Sequence, residues 1–254
     1  MGMKNQEKKL KNRPKFQRSN NFVSCLGQNA PFSYVEAYKT LRTNLEFIST
    51  ASQAKCVVVT SALPEESKST VSINLALTLA DSQKSVILVE CDLRKPTIRR
   101  YLKLERGLNG LSAVLSGSAP LDECIQVAEE GGIHILTAGT IPPNPSELLN
   151  QPRMAALIEE LKQRYDYVIL DAPPVTVVTD AAVVGRMADG ALLVIRSKYA
   201  PTKRVRQALQ RLKDVDIRVL GAVLTRQNVK KSGGRYDYDY DGYEYGYRQS
   251  RSGT

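Results

Sequence analysis

A lysine and two hydroxyl residues, Lys68-Ser69-Thr70, stand between an apolar run, Cys56–Thr60, and a helical pattern that opens Val71-Ser-Ile-Asn-Leu-Ala. Strand, loop, Lys-Ser-Thr and helix is an order suited to phosphate. Backbone amides cradle the anion, the lysine reaches its outer oxygens and the first hydroxyl ligates Mg²⁺. The helix N-terminus adds partial positive charge. On this reading Pro64, Glu65, Glu66, Ser67, Lys68, Ser69 and Thr70 contact the nucleotide. Two features run against the pattern. Ser61 or Ala62, and then Ser67, stand where glycine is usual, and a residue with a Cβ held at positive φ costs on the order of 1–2 kcal/mol. Glu65 and Glu66 also bring negative charge to an anion site unless both point outward.

Carboxylates on two other runs strengthen the case. Val86-Ile-Leu-Val-Glu-Cys-Asp92 ends in Glu90 and Asp92, two apart and therefore on one face of a strand. Tyr167-Val-Ile-Leu-Asp171 ends in a single aspartate, the pattern that holds Mg²⁺ directly or through water in nucleotide hydrolases. A lysine, a hydroxyl and three carboxylates thus converge if the three strands end on one edge. Cys91, between Glu90 and Asp92, reads as a small buried apolar residue rather than a redox switch.

The elements that must position these groups follow from hydrophobic spacing. Cys56–Thr60, Val86–Glu90, Ile133–Leu136, Tyr167–Asp171, Ala191–Ile195 and Val219–Leu224 are continuous apolar runs of the kind buried on both faces. Thr70–Ser82, Met154–Arg164, Thr179–Met187 and Thr202–Lys213 are amphipathic helices between them. Such alternation implies an α/β fold with parallel strands and right-handed crossovers, with ligands beyond the strands' carboxyl ends. A further helix precedes the first strand, with Val35, Tyr38, Leu41, Leu45 and Ile48 at helical spacing and Glu36, Lys39 and Arg42 on a neighbouring stripe.

Three regions result: a basic, disordered arm at 1–28, an α/β body at 29–227 and a flexible tyrosine-rich tail at 228–254. The 254 residues suffice for one large domain, and the 42% apolar and 24% charged fractions are those of a soluble globular protein. No apolar run reaches bilayer length, and four scattered cysteines suit a reducing compartment, so a cytoplasmic protein is expected. The formal charge of +10 is partly gathered at Lys4, Lys8, Lys9, Lys11, Arg13, Lys15 and Arg18, an arm drawn to anionic membrane or nucleic acid.

With these motifs in place, the sequence resembles the bacterial tyrosine kinases of exopolysaccharide and capsule export. The resemblance rests on Glu-Ala-Tyr-Lys-Thr-Leu-Arg (36–42), the loop at 60–70, Val-Glu-Cys-Asp-Leu-Arg-Lys-Pro (89–96), Ile-Pro-Pro-Asn-Pro-Ser-Glu-Leu-Leu (141–149), Leu-Asp-Ala-Pro-Pro (170–174) and the tail. It implies a P-loop NTPase fold, a mostly parallel twisted sheet flanked by helices on both faces. It also implies ATP and Mg²⁺ as cofactors, with Lys68, Glu90, Asp92 and Asp171 catalytic and Ser69, Asp92 and Asp171 holding the metal. Glu90 stands where the family has an aspartate proposed as general base; its extra methylene displaces the carboxylate by roughly 1 Å, a misplacement that can cost about 10²-fold in rate. The family's Glu-x-x-Arg-x-x-Arg stripe, which builds a ring of subunits (an octamer being the candidate size), is Glu36, Lys39 and Arg42 here, and lysine lacks arginine's bidentate fork. Thr225 occupies the place of an asparagine that reads adenine in related ATPases. The resemblance further implies a membrane-spanning activator supplied in trans, recruitment to the inner face of the membrane and a phosphotyrosine phosphatase as counterpart. No specific nucleic acid is expected.

Six of the twelve tyrosines, Tyr236, Tyr238, Tyr240, Tyr243, Tyr245 and Tyr247, alternate with Asp237, Asp239, Asp241 and Glu244. Beside a phosphate loop this segment reads as the chain's own phosphorylation substrate, presented at high effective concentration. Two alternatives stay open: a partition ATPase of the ParA/MinD group without protein kinase activity, and a catalytically weak scaffold of the same fold.

Overall fold

The computed structural model describes residues 22, 24–27, 30–105 and 109–227. A seven-stranded sheet forms the middle layer: β1 (Cys56–Ser61), β2 (Val86–Glu90), β3 (Ile125–Val127), β4 (His134–Leu136), β5 (Tyr167–Asp171), β6 (Gly190–Arg196) and β7 (Val219–Thr225). Their spatial order is β3-β4-β2-β5-β1-β6-β7. All pairings are parallel except β3 with β4. The register matters most at the centre, where Asp171 lies opposite Glu90 on one side and Val59 on the other. The three chemistry-bearing strands therefore end side by side on one edge.

Alternation along the central strands divides the apolar side chains cleanly between two faces. Val57, Val59, Leu88, Ile169, Leu192 and Val194 point to one side. There they meet α1 (Phe32–Ser52) through Tyr38 and Leu45, and α2 (Lys68–Asp81) through Val71, Ile73, Leu75 and Leu77. Cys56, Val58, Ile87, Val89, Val168, Leu170 and Leu193 point to the other. That side is covered by α4 (Leu111–Ser116), α5 (Leu121–Cys124), α6 (Pro145–Leu149), α7 (Pro152–Arg164), α8 (Asp180–Gly185) and α9 (Thr202–Lys213). The short α3 (Ile98–Tyr101) follows β2 and seats Ile98 in the first layer. Helices on both faces of a parallel sheet are the expected α/β arrangement.

Two expectations need adjustment. β7 is an edge strand rather than one buried on both faces, with Leu224 52% exposed. Part of the segment assigned to the arm also packs on the body. Cys25 is buried, its amide donates to Asn74 Oδ1 at 2.7 Å, and Phe22 stacks on Tyr101 with ring centroids 5.5 Å apart. The rest of the arm (1–21, 23 and 28), residue 29 and the tail at 228–254 lie outside the described residues. Among the described residues no helix is long and apolar enough to cross a membrane.

At the opposite edge Asp189 pins the start of β1. Its Oδ2 accepts from the amides of Lys55 and Cys56, each at 2.8 Å, and its Oδ1 pairs with Lys162 at 2.8 Å. Asp189→Ala is expected to lower the unfolding free energy by about 2 kcal/mol, read as a drop in urea midpoint at unchanged slope.

Candidate nucleotide site

The site begins where β1 turns into α2. Ser67, the N-cap of α2, has φ 71° and ψ 24°, and Glu65 has φ 65°. The loop therefore takes the left-handed turn that glycine would accept freely, in spite of the Cβ. The two glutamates behave differently. Glu65 is exposed. Glu66 is fully buried, its Oε2 accepting from the Leu63 amide at 2.6 Å and its Oε1 from the Arg196 amide at 3.0 Å. The Glu66 carbonyl accepts from the Thr225 hydroxyl at 3.1 Å. Glu66 thus braces the loop against β6 and β7 instead of pointing outward. Thr225 works in the same brace.

Lys68, Ser69, Asp92 and Asp171 form one cluster. Lys68 Nζ lies 2.9 Å from Asp92 Oδ2 and 3.8 Å from Asp171 Oδ1. Ser69 donates to Asp171 Oδ2 at 2.6 Å. Ser72, one turn further along α2, lies 3.1 Å from Asp171 Oδ1 and 3.0 Å from the Lys68 carbonyl. Burial pulls the Lys68 pKa down, but Asp171 and Asp92 together outweigh it and hold the ammonium above the ordinary lysine value. Burial pushes the Asp171 carboxyl up, partly offset by Lys68 and the Ser69 hydroxyl. Cys91 is fully buried and burial raises its thiol well above the usual range, which suits an inert packing residue.

Glu90 does not join the cluster by hydrogen bonding. Its Oε1 accepts from the amides of Thr97 at 2.5 Å and Ile98 at 2.8 Å, and its Oε2 from the Ala138 amide at 3.1 Å. Burial raises its pKa, opposed by those three amides. The carboxylate therefore ties the segment after β2 to the segment after β4. Asp92 faces the site with one oxygen and accepts from the Lys95 amide at 3.1 Å with the other.

A second pair holds the rim, and the sequence reading missed it. Arg94 grips Asp180 through Nε at 2.8 Å and Nη2 at 3.1 Å, and the same Nη2 donates to Ser146 Oγ at 2.8 Å. Ser146 in turn donates to Asp180 Oδ1 at 2.5 Å. This joins the Asp-Leu-Arg-Lys-Pro run to the Pro-Ser-Glu-Leu-Leu run and to the start of α8. Burial raises the Asp180 pKa, but the hydrogen bonds from Arg94 and Ser146 outweigh it and hold the carboxyl below its ordinary value. Position 180 carries no local motif by which the sequence could have shown it.

The α1 stripe is also divided. Lys39 pairs with Glu36 at 2.8 Å on the surface. Arg42 turns inward and donates through Nη1 to the Thr78 carbonyl at 3.0 Å, with its Nε buried and unpaired among the described residues.

The segment 65–223 matches the family of AAA domains. Over 207 residues the chain is 41% identical to the tyrosine-protein kinase YwqD of Bacillus subtilis, a match covering 82% of this chain and 86% of YwqD. The chain belongs to the bacterial tyrosine-protein kinases. The kinase is also 36% identical over 221 residues to the tyrosine-protein kinase Etk of Escherichia coli; that match takes in 87% of the kinase but 30% of Etk. The solved kinase domain of Etk superposes with a TM-score of 0.76 at 36% identity, covering 89% of the kinase and 90% of that domain. MinD of Pyrococcus horikoshii, solved with Mg-ADP, shares the fold at a TM-score of 0.59 and 22% identity. The kinase is accordingly a P-loop protein with a nucleotide-binding fold.

The cluster's donor set fits a nucleotide with its metal. Among the described residues no three His, Cys, Asp or Glu side chains form a metal cage, and Mg²⁺ needs none, since it keeps waters and phosphate oxygens around one or two carboxylates. Ser67→Gly should relieve the left-handed strain and raise stability by about 1 kcal/mol, seen as a higher Tm. Asp180→Asn tests the rim. Because the Asp180 pKa is depressed in the folded state, its contribution is present above about pH 4 and lost as pH falls through the folded value. The Tm gap between wild type and Asp180→Asn should therefore be largest near neutrality and close on acidification.

Proposed function

We propose that this kinase transfers the terminal phosphoryl group of ATP to tyrosine hydroxyls, including Tyr236, Tyr238, Tyr240, Tyr243, Tyr245 and Tyr247 of its own tail, and so regulates capsule or exopolysaccharide synthesis and export. The single observation that carries this reading is the joining of Lys68, Ser69, Asp92 and Asp171 into one buried cluster at the carboxyl edge of the sheet. ATP with Mg²⁺ supplies the transferable phosphoryl group and a cation that draws charge from it. Lys68 would hold the outer phosphate oxygens, and Ser69, Asp92 and Asp171 would hold the metal. The Ser67–Lys68 turn aims the start of α2, fourteen residues long, at the same place.

The incoming tyrosine hydroxyl must lose a proton. Asp92 stands in the cluster beside Lys68, and Glu90, held by three amides, positions the segment that carries it. Phosphoryl transfer through a loose transition state asks for positioning and charge more than for a strong base. The engagement of Glu90 with three amides supports the second reading too, a slow enzyme or scaffold, because no free carboxylate occupies that place. Glu36 and Lys39 remain as a partly exposed pair for a contact between subunits. The partner is a membrane-spanning activator supplied in trans, which brings the kinase to the inner face of the membrane.

Purified kinase incubated with ATP–Mg²⁺ and the activator's cytoplasmic segment should gain phosphotyrosine. Replacing all six tail tyrosines by phenylalanine should remove the self-phosphorylation signal. Lys68→Met and, separately, Ser69→Ala should lower the rate by about 10²-fold or more. Lys68→Met leaves two buried carboxylates unpaired, a change worth about 3–5 kcal/mol in stability, so its Tm is measured beside its rate and Ser69→Ala carries the conclusion if it unfolds. Wild type that binds nucleotide but gains no phosphotyrosine above Lys68→Met is a scaffold.

A further inference from the structure

The outer face of α9 is basic and unmatched. Lys203, Arg204, Arg206, Arg211 and Lys213 are all exposed and the helix holds no acidic residue. Lys203, Arg206, Gln210 and Lys213 recur at intervals of three and four, one stripe about 15 Å long. None of these cations enters a salt bridge among the described residues. The Arg204 guanidinium donates to Gln207 Oε1, and Arg211 reaches the Val175 carbonyl. The acids nearby in sequence follow the helix: Asp214, bonded by Gln210, and Asp216. The buried side, Ala208 and Leu212, already packs on the sheet, so the charged face is not needed for folding.

The sequence carries a run of acids a short length of chain beyond this place. The Ser197 amide donates to the Thr225 carbonyl at 2.9 Å, setting the exposed Lys198 and the turn into α9 beside the end of β7. Gln227 follows two residues later. Nine further steps, at most about 30 Å of chain, lead to Tyr236, and from Tyr236 to Tyr247 there are four acids and no base. Each tyrosine phosphate adds about −1.5 to −2 charges and oxygens that guanidinium groups grip in pairs.

The geometry points to the Lys203–Arg206–Lys213 face of α9 as a docking surface for the chain's own acidic tail, 236–247, engaged most tightly once the tail is phosphorylated. It rests on the tail being the substrate proposed above. Docking there would draw phosphorylated tyrosines from the catalytic edge onto the outer layer of helices, leaving the cluster around Lys68 open for the next hydroxyl.

The test uses the full-length chain with its six tail tyrosines changed to phenylalanine and a fluorescein-labelled peptide of residues 232–249 synthesised with phosphate on Tyr238, Tyr240 and Tyr243. Anisotropy should show binding that weakens with salt and exceeds that of the unphosphorylated peptide. Adding Lys203→Glu, Arg206→Glu and Lys213→Glu to the receptor should weaken binding roughly tenfold or more, the sum of several screened ion pairs. The glutamine triple variant, a milder change, serves if charge reversal unfolds the protein. Equal binding by parent and variant overturns the proposal, as does equal binding of both peptides. Phosphatidylserine vesicles are the second arm: if the variant loses vesicles yet keeps the peptide, the face is a membrane contact and the proposal falls. The peptide carries its phosphates from synthesis, so this result is independent of the kinase assay.

Discussion

A buried ammonium set between two carboxylates governs this structure. Removing Lys68, Asp92 and Asp171 from water is expensive, and only close geometry returns the loss. That geometry requires three strands to end at one level, which the register Val59–Asp171–Glu90 enforces. The sheet's central order, β2-β5-β1, then follows as the arrangement that brings a lysine after the first strand within 2.9 Å of an aspartate after the second. The hydroxyls of Ser69 and Ser72 complete the coordination of Asp171 so that its oxygens are not left bare.

Around this centre the structure uses carboxylates as brackets. Glu66 gathers the Leu63 and Arg196 amides, Glu90 gathers those of Thr97, Ile98 and Ala138, and Asp180 receives Arg94 and Ser146. Each bracket joins segments distant in sequence and holds a loop that leaves the carboxyl edge. Acidic side chains near an anion site look contradictory until their partners are seen. Glu66 and Glu90 are satisfied by backbone amides and Asp180 by the Arg94 guanidinium and the Ser146 hydroxyl, so their charge is used to fix loop shape.

Much of this was legible from residue order. Six of the seven strands and the long helices were visible because continuous apolar runs alternate with helical periods, and strand-end carboxylates marked the edge that carries the chemistry. β3 escaped, since Ile125–Val127 is three residues long and too brief for any period to show. α3 to α6 are four to six residues each and hold their shape through tertiary packing rather than sequence pattern. The αL turn at Ser67 was anticipated from the missing glycine, but the inward turn of Glu66 was not, because it depends on Arg196, 130 residues away. Arg42 belongs to the same class. Its helical spacing placed it on a stripe with Glu36 and Lys39, while its contact with the Thr78 carbonyl depends on how two helices cross.

The brace between Thr225 and Glu66 has a bearing on how the protein comes into being. A ribosome delivers the phosphate loop early and its supports late: β5 first, then β6 with the Arg196 amide at its end, and the Thr225 hydroxyl about 160 residues after the loop. Contacts of such long range close slowly, because the intervening chain must be ordered first. Until β7 emerges and zips onto β6, the strained Ser67 turn lacks one of its fastenings. In a nascent chain the nucleotide loop therefore gains its last fastening only when the edge strand is in place.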